Sequence, residues 1–269
     1  MKALNLFLII SYGLFIPFFR CQSVTNVLAP YVITEEDEIA LGNQFYQQIR
    51  SDEATYPPYT KNSRVIRFVD SLGKHIAASQ NDRNIDFTFD IIDDDQINAF
   101  AIPGGHVFVY RGLLETVRNT SELAGVIAHE IGHITKYHSR DLLVQQTFVN
   151  NVNTILFGND SASISAAAAT LLENMAFLKF SRNKEYQADS CAVAYTTASK
   201  INPNGMKTFF SLLLESDGDP NEILSSFSSH PPFSDRIKNI QRIIGKTSGV
   251  PSQNEWLFEE EYLEIKELL

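Results

Sequence analysis

The stretch Ser121-Glu-Leu-Ala-Gly-Val-Ile-Ala-His129-Glu130-Ile131-Gly132-His133 decides how this chain is read. Residues 121–128 have helical character, with Gly125 the one breaker among them, so the five residues that follow extend a helix. On a helix, positions four apart share a face, and the imidazoles of His129 and His133 can therefore reach one ion. Glu130, one residue along, can lean over the ion's open position and hold a water. That is the arrangement of a zinc hydrolase.

A five-residue string also arises by chance, so its surroundings matter. Catalytic zinc needs a third protein ligand and one position left for water. Downstream lies Phe180-Ser-Arg-Asn-Lys-Glu185-Tyr-Gln-Ala-Asp189, with Glu185 and Asp189 again four apart on one helical face. Glu185 can be the third ligand. Asp189 can accept a hydrogen bond from a ligand imidazole and so fix its tautomer and orientation. Alone, that acidic pair reads as a solvated face. Beside His129 and His133 the reading reverses.

With these residues in place, the chain resembles the gluzincin metallopeptidases of the HtpX, BepA and CAAX-prenyl endopeptidase group. The resemblance rests on HEIGH at 129–133 and on Ser181-Arg182 leading into Glu185-x-x-Ala188-Asp189. Asn98-Ala-Phe-Ala-Ile-Pro-Gly-Gly-His-Val-Phe-Val-Tyr-Arg-Gly-Leu-Leu114 is similar to the family's strand and turn before the active-site helix. Ser229-His230-Pro231-Pro232-Phe233-Ser-Asp-Arg236-Ile237 resembles its late His-Pro motif. The likeness runs from about Thr34 to Ile244, with the motifs in the family's order. One departure is Tyr137, which precedes His138 where the family often has Arg.

The resemblance implies an α+β, mainly helical, zincin-like metallopeptidase domain with a small three-stranded sheet over the active-site helix. It implies one Zn²⁺ held by His129, His133 and Glu185, with Glu130 as general base and Asp189 behind a ligand. His230 becomes the group that approaches zinc from the far side, to stabilise an oxyanion or to block the water in a resting state. Arg236 would orient His230 or bind the substrate backbone. Substrates would be polypeptides, above all misfolded or misassembled proteins of the cell envelope. A rival is a zinc-binding, chaperone-like or latched quality-control protein with little proteolysis, in which His230 takes the water's place. A zinc hydrolase acting on a non-peptide amide would keep the same site.

The 269 residues allow one sizeable domain or two small ones. A hydrophobic content of 44% with 20% charged residues excludes a disordered chain. The net charge of −10 argues against nucleic acid or an anionic membrane surface as main partners. The N-terminus reads as a targeting segment: Lys2 is followed by a nearly apolar run from Leu4 to Phe19. At about sixteen residues that run is short for a bilayer span, which needs roughly twenty. A secretory signal is therefore the expectation, with location in the periplasm or envelope. Lipidation at Cys21 and an uncleaved membrane anchor are the alternatives, although Arg20 fits a lipobox poorly. The expected organisation is a signal or anchor over 1–21, a linker over 22–33 and the metallopeptidase domain over 34–269.

Along the chain, Thr34-Glu35-Glu36-Asp37 reads as a helix start with Thr34 as N-cap. A second helix is expected over Ser63–Ala78, with Val65, Phe68, Val69, Leu72 and Ile76 on its apolar side. Phe87, Phe89 and Ile91 alternate as in a strand, Asp93-Asp94-Asp95 reads as a solvated turn, and strands follow at Ile97–Ala101 and His106–Tyr110. Helices dominate from Leu113 onward. Asp141–Phe157 is too polar for a membrane span, Ser161–Phe180 reads as a small-residue helix, and the loop between them invites a lid role. Further helices are expected over Pro203–Ser216 and Ser234–Ile244, and the tail Trp256–Leu269 as an amphipathic helix packed on the body through Phe258, Tyr262, Ile265 and Leu269.

The remaining histidines carry less. His138, five residues past His133, would fall on the opposite side of a continued helix, and His75 reads as structural. His106 follows a Gly pair and is a candidate for a place near the cleft. Cys191 reads as a small buried thiol, not a ligand.

Overall fold

The computed structural model describes residues 33–80, 82–142, 180–215, 233–252 and 255–269. The N-terminal targeting segment, most of the two helices expected between residues 141 and 180 with the loop joining them, and His230 lie outside the described residues.

Helix α1, Glu35–Ser51, starts on a reciprocal cap: Thr34 Oγ1 accepts from Asp37 N (3.1 Å), and the Asp37 carboxylate accepts from Thr34 N (3.1 Å). Helix α2, Ser63–Ala77, is capped by Asn62 and buries Val65, Val69, Leu72 and Ile76 along one stripe. Three strands follow: β1 Thr88–Ile92, β2 Ala99–Ile102 and β3 His106–Tyr110. Their order in the sheet is β1-β3-β2. Strands β2 and β3 pair antiparallel across the Pro103–Gly105 turn, whereas β1 runs parallel to β3 with Phe89 opposite Val107.

Both faces of this small sheet are covered, which explains why β2 and β3 are apolar at every position but His106. Alternation sorts the side chains into two layers. Ala99, Ala101, Val107 and Val109 join the main core with α2, while Phe100, Ile102, Phe108 and Tyr110 meet Phe45 and Ile49 of α1. Helix α3, Arg111–Thr116, leads into α4, Thr120–Thr135, whose N-cap is Asn119. Every residue of α4 is buried. The sheet covers one side of α4, chiefly through β2. Helices α5, Arg182–Ala198, and α6, Gly205–Glu215, cover others. Helix α7, Phe233–Ile244, packs on α5 and α6.

Close approach to α4 depends on two of its glycines. A Cβ on Gly125 would stand 2.6 Å from Met206 N of α6, and one on Gly132 would stand 2.8 Å from Cys191 Cβ of α5. Gly132, an apparently neutral position of HEIGH, thus lets α5 lie flat against the two histidines. Cys191 is buried in that contact.

Two expectations need correction. The Asp93–Asp95 turn is not simply solvated: Asp93 accepts from Arg111 Nε (2.6 Å) and Lys61 Nζ (3.0 Å), and Asp95 pairs with Arg111 as well. The tail helix α8, Glu259–Lys266, does dock on the body, with Tyr262 Oη donating to Leu114 O (2.6 Å). Phe258, however, is 45% exposed and sits at φ 53° ahead of the helix, so it is not on the docked face. The physical cause is that left-handed residue, which breaks the register a continuous helix would have kept.

Gly132→Ala tests the close packing. Alanine favours an α-helix by about 1 kcal/mol over glycine, yet a methyl group forced against Cys191 and Ala188 costs about 1–3 kcal/mol. The expected result is a lower melting temperature in thermal unfolding; an equal or higher one would contradict so close a contact.

Candidate metal centre

His129 and His133 lie in the last two turns of α4, and the helix places both Nε2 atoms on one side, 3.0 Å apart. Glu185 enters from the first turn of α5, with Oε2 3.5 Å from His129 Nε2 and Oε1 3.6 Å from His133 Nε2. All three residues are buried. Four ligands held about 2.0–2.1 Å from a tetrahedral zinc ion stand about 3.3–3.4 Å from one another. The Nε2–Nε2 separation falls just below that edge length and each Nε2 lies just beyond it from one Glu185 oxygen, so the donor set fits such an ion in kind and in spacing.

Behind each imidazole stands a second group. His129 Nδ1 lies 3.2 Å from Asp189 Oδ1, the carboxylate one turn after Glu185. Asp189 also accepts from Arg236 Nη2 (2.6 Å) and Nε (3.2 Å), and Arg236 Nη1 stands 3.4 Å from Glu185 Oε2. Arg236 Nη2 also lies 3.1 and 3.3 Å from the two nitrogens of the His129 ring. The guanidinium lies over the Phe210 ring at 4.5 Å.

The charges answer one another. Burial alone would raise the Asp189 carboxyl, but Arg236 and His129 outweigh it and hold it below the usual carboxylate range. Burial and the Arg236 charge oppose an imidazolium at His129, yet Asp189 and Glu185 overcome both and pull it up to about 9.

Glu130, next to His129, is 5% exposed, beside the donor triad in sequence and buried with it. Arg236 was expected to face His230 or the substrate backbone. At 1% exposure it meets Asp189, Glu185 and His129. His230 itself lies outside the described residues.

His138 is the residue that helical arithmetic misplaced. The α-helix ends at Thr135, and Tyr137 adopts φ 60°, so the residues that follow leave the line of that helix. His138 is buried, with Nδ1 2.9 Å from His133 Nδ1 and Nε2 3.0 Å from Gln187 Oε1. Burial lowers its pKa to about 4. Phe180 was also not singled out; its ring stacks on that of His133 at 4.1 Å. The sequence carried little signal for these contacts, since a non-glycine residue at positive φ gives no compositional warning.

His106 takes no part in this cluster. It is buried, bonded to Thr88 Oγ1 (2.8 Å) and Asn43 Oδ1 (3.1 Å) and stacked on Tyr46, between β3 and α1. His75 meets Ser199 O at 2.9 Å on the surface of α2, as a structural residue would.

The chain is 30% identical over 204 residues to the beta-barrel assembly-enhancing protease of Escherichia coli strain K12, covering 72% of this chain and 39% of that protein. It is 30% identical over 176 residues to the mitochondrial metalloendopeptidase OMA1 of Schizosaccharomyces pombe, covering 65% and 51%. To the metalloprotease YcaL of E. coli K12 it is 26% identical over 230 residues, 82% of this chain and 85% of that protein. The chain spans less than half the length of the beta-barrel assembly-enhancing proteases it matches. Residues 60–244, which include α4, α5 and Arg236, match the description Peptidase family M48. This chain belongs to that family of metallopeptidases.

Proposed function

We propose that this chain is a zinc-dependent metalloendopeptidase in which His129, His133 and Glu185 hold the ion and Glu130 moves the proton. The observation that carries this function is the convergence of three buried donor groups, with the two Nε2 atoms 3.0 Å apart and each 3.5–3.6 Å from an oxygen of the Glu185 carboxylate. Formal charge supports it independently. Glu130, Glu185 and Asp189 bring three carboxylates into the interior, against the guanidinium of Arg236. The two negative charges left over are what a divalent cation neutralises, and burying them otherwise is costly.

A bound zinc ion supplies Lewis acidity, lowering the pKa of water to near 7 and polarising a carbonyl. The protein's own groups do the rest. Glu130 accepts a proton from the attacking water and returns it to the departing amine. Asp189 accepts the Nδ1 proton of His129 and keeps its Nε2 electron pair turned inward. Arg236 balances the charge of Asp189 and Glu185 and holds α7 against α5. His230, by family resemblance, steadies the oxygen of the carbonyl as it becomes tetrahedral.

For substrate, the similarity to beta-barrel assembly-enhancing proteases supports unfolded or misassembled proteins of the cell envelope. The apolar N-terminal segment fits export to that compartment. Among the described residues, no helix is long and apolar enough to cross a membrane.

Zinc content and casein cleavage of the full chain, wild type against Glu130→Gln, test the assignment. Both should hold one zinc, while the variant loses cleavage by about 10²–10⁴-fold or more, the usual worth of a general base. Cleavage at the wild-type rate, or a wild type that takes up no zinc, would overturn it. A second expectation concerns Arg236→Met, which leaves buried carboxylates without their counter-charge at a cost of about 3–5 kcal/mol. Urea unfolding should show that loss in zinc-free protein and a smaller one with zinc in excess, because the bound cation then supplies part of the positive charge that the variant lacks. Equal stability with and without the guanidinium would remove it from the charge balance.

A further inference from the structure

His133 differs from His129 in what lies behind it. His129 has a carboxylate at Nδ1, whereas His133 has another imidazole, that of His138, 2.9 Å away. On its far side, His138 Nε2 meets the amide oxygen of Gln187 at 3.0 Å. An amide oxygen only accepts, so the proton of neutral His138 sits on Nε2 and its Nδ1 carries the electron pair. His133 must then donate its own Nδ1–H to that pair, which leaves its Nε2 pair facing His129 Nε2 and Glu185.

We propose that His138, backed by Gln187, is a positioning residue for the metal centre, fixing the His133 tautomer that presents Nε2 to the ion. This rests on the metal-centre reading given above. The relay is itself held in place. Tyr137, at φ 60°, is clamped between the guanidinium groups of Arg83 and Arg140, 4.2 and 3.9 Å from its ring. Arg83 is anchored on Glu38 of α1 (2.9 Å) and donates to Ile134 O (3.1 Å) in the last turn of α4. Lys184 Nζ donates to His138 O (3.2 Å) and pairs with Asp141 (3.0 Å). Phe180 stacks on the His133 ring and flanks His138, so neither ring turns freely. A strained turn tied down from both α1 and α5 delivers one imidazole to the back of another.

The direction of the relay makes it testable. Were the Gln187 amide turned to donate, the protons would reverse, and His133 Nε2 would carry hydrogen toward the site instead of an electron pair. Gln187→Glu separates the two, because a carboxylate can only accept.

The test is the zinc dissociation constant of the full chain, measured against a chromophoric chelator, with the visible spectrum of the Co²⁺-loaded protein as a second readout. His138→Leu removes the acceptor at His133 Nδ1 and should weaken zinc by about 10–100-fold, the usual worth of a group behind a metal ligand. It should also change the Co²⁺ spectrum. His138→Asn places an amide oxygen near the lost Nδ1 and should recover most of the affinity. Gln187→Glu should bind zinc at least as tightly as wild type, and it decides the matter if His138→Leu does not fold. Wild-type affinity in His138→Leu, no recovery in His138→Asn, or weakened binding in Gln187→Glu would each overturn the relay. A wild-type chain with no zinc affinity would overturn the metal centre instead.

Discussion

Three electron-pair donors are fixed inside this protein at separations their own repulsion opposes. The Nε2 atoms of His129 and His133 and the Glu185 carboxylate converge within 3.6 Å of each other, out of contact with water. Buried groups of like polarity stay together only when something of opposite charge sits among them or the surrounding fold leaves no choice. Here both conditions are built in. Arg236 offsets part of the charge through Asp189 and Glu185, and the remainder is what the proposed divalent cation would offset.

The fold serves that convergence from several directions. Helix α4 is surrounded on all sides, so its histidines cannot swing to solvent. Gly132 allows α5 to approach closely enough for Glu185 to reach the same point as two residues of α4. The sheet presses on α4 mainly through β2 and is itself backed by α1, whose Glu38 reaches around to Arg83 at the end of α4. The layers that make the core therefore also set the position of the donor atoms. Rigid elements carry the three donor groups, and among the described residues the left-handed Tyr137 beside them is clamped by two cations.

What could be read in the sequence was local. The pairs His129 with His133 and Glu185 with Asp189 follow from helical spacing alone, as does the Thr34–Asp37 cap. Strand β3 runs over the expected residues, because its apolar stretch is bounded by Gly105 and the helix that begins at Arg111. What escaped was tertiary. Arg236 meets Asp189 across 47 residues of chain, and nothing in either neighbourhood names the other. His138 was read as no metal ligand, and its contact with the back of His133 was missed because the helix that was extrapolated through it stops at Thr135. The parallel pairing of β1 with β3, which inserts β3 between two strands that precede it, is likewise invisible to a period-two pattern.

The most direct measurement of the central claim is X-ray absorption at the zinc edge of the loaded chain. Two imidazoles, one carboxylate and one water predict a first shell of nitrogen and oxygen alone at about 2.0–2.1 Å, with the outer scattering of two rings. A sulfur shell at about 2.3 Å, the mark of a cysteine ligand such as Cys191, or an absorption edge too weak to show bound zinc, would contradict it.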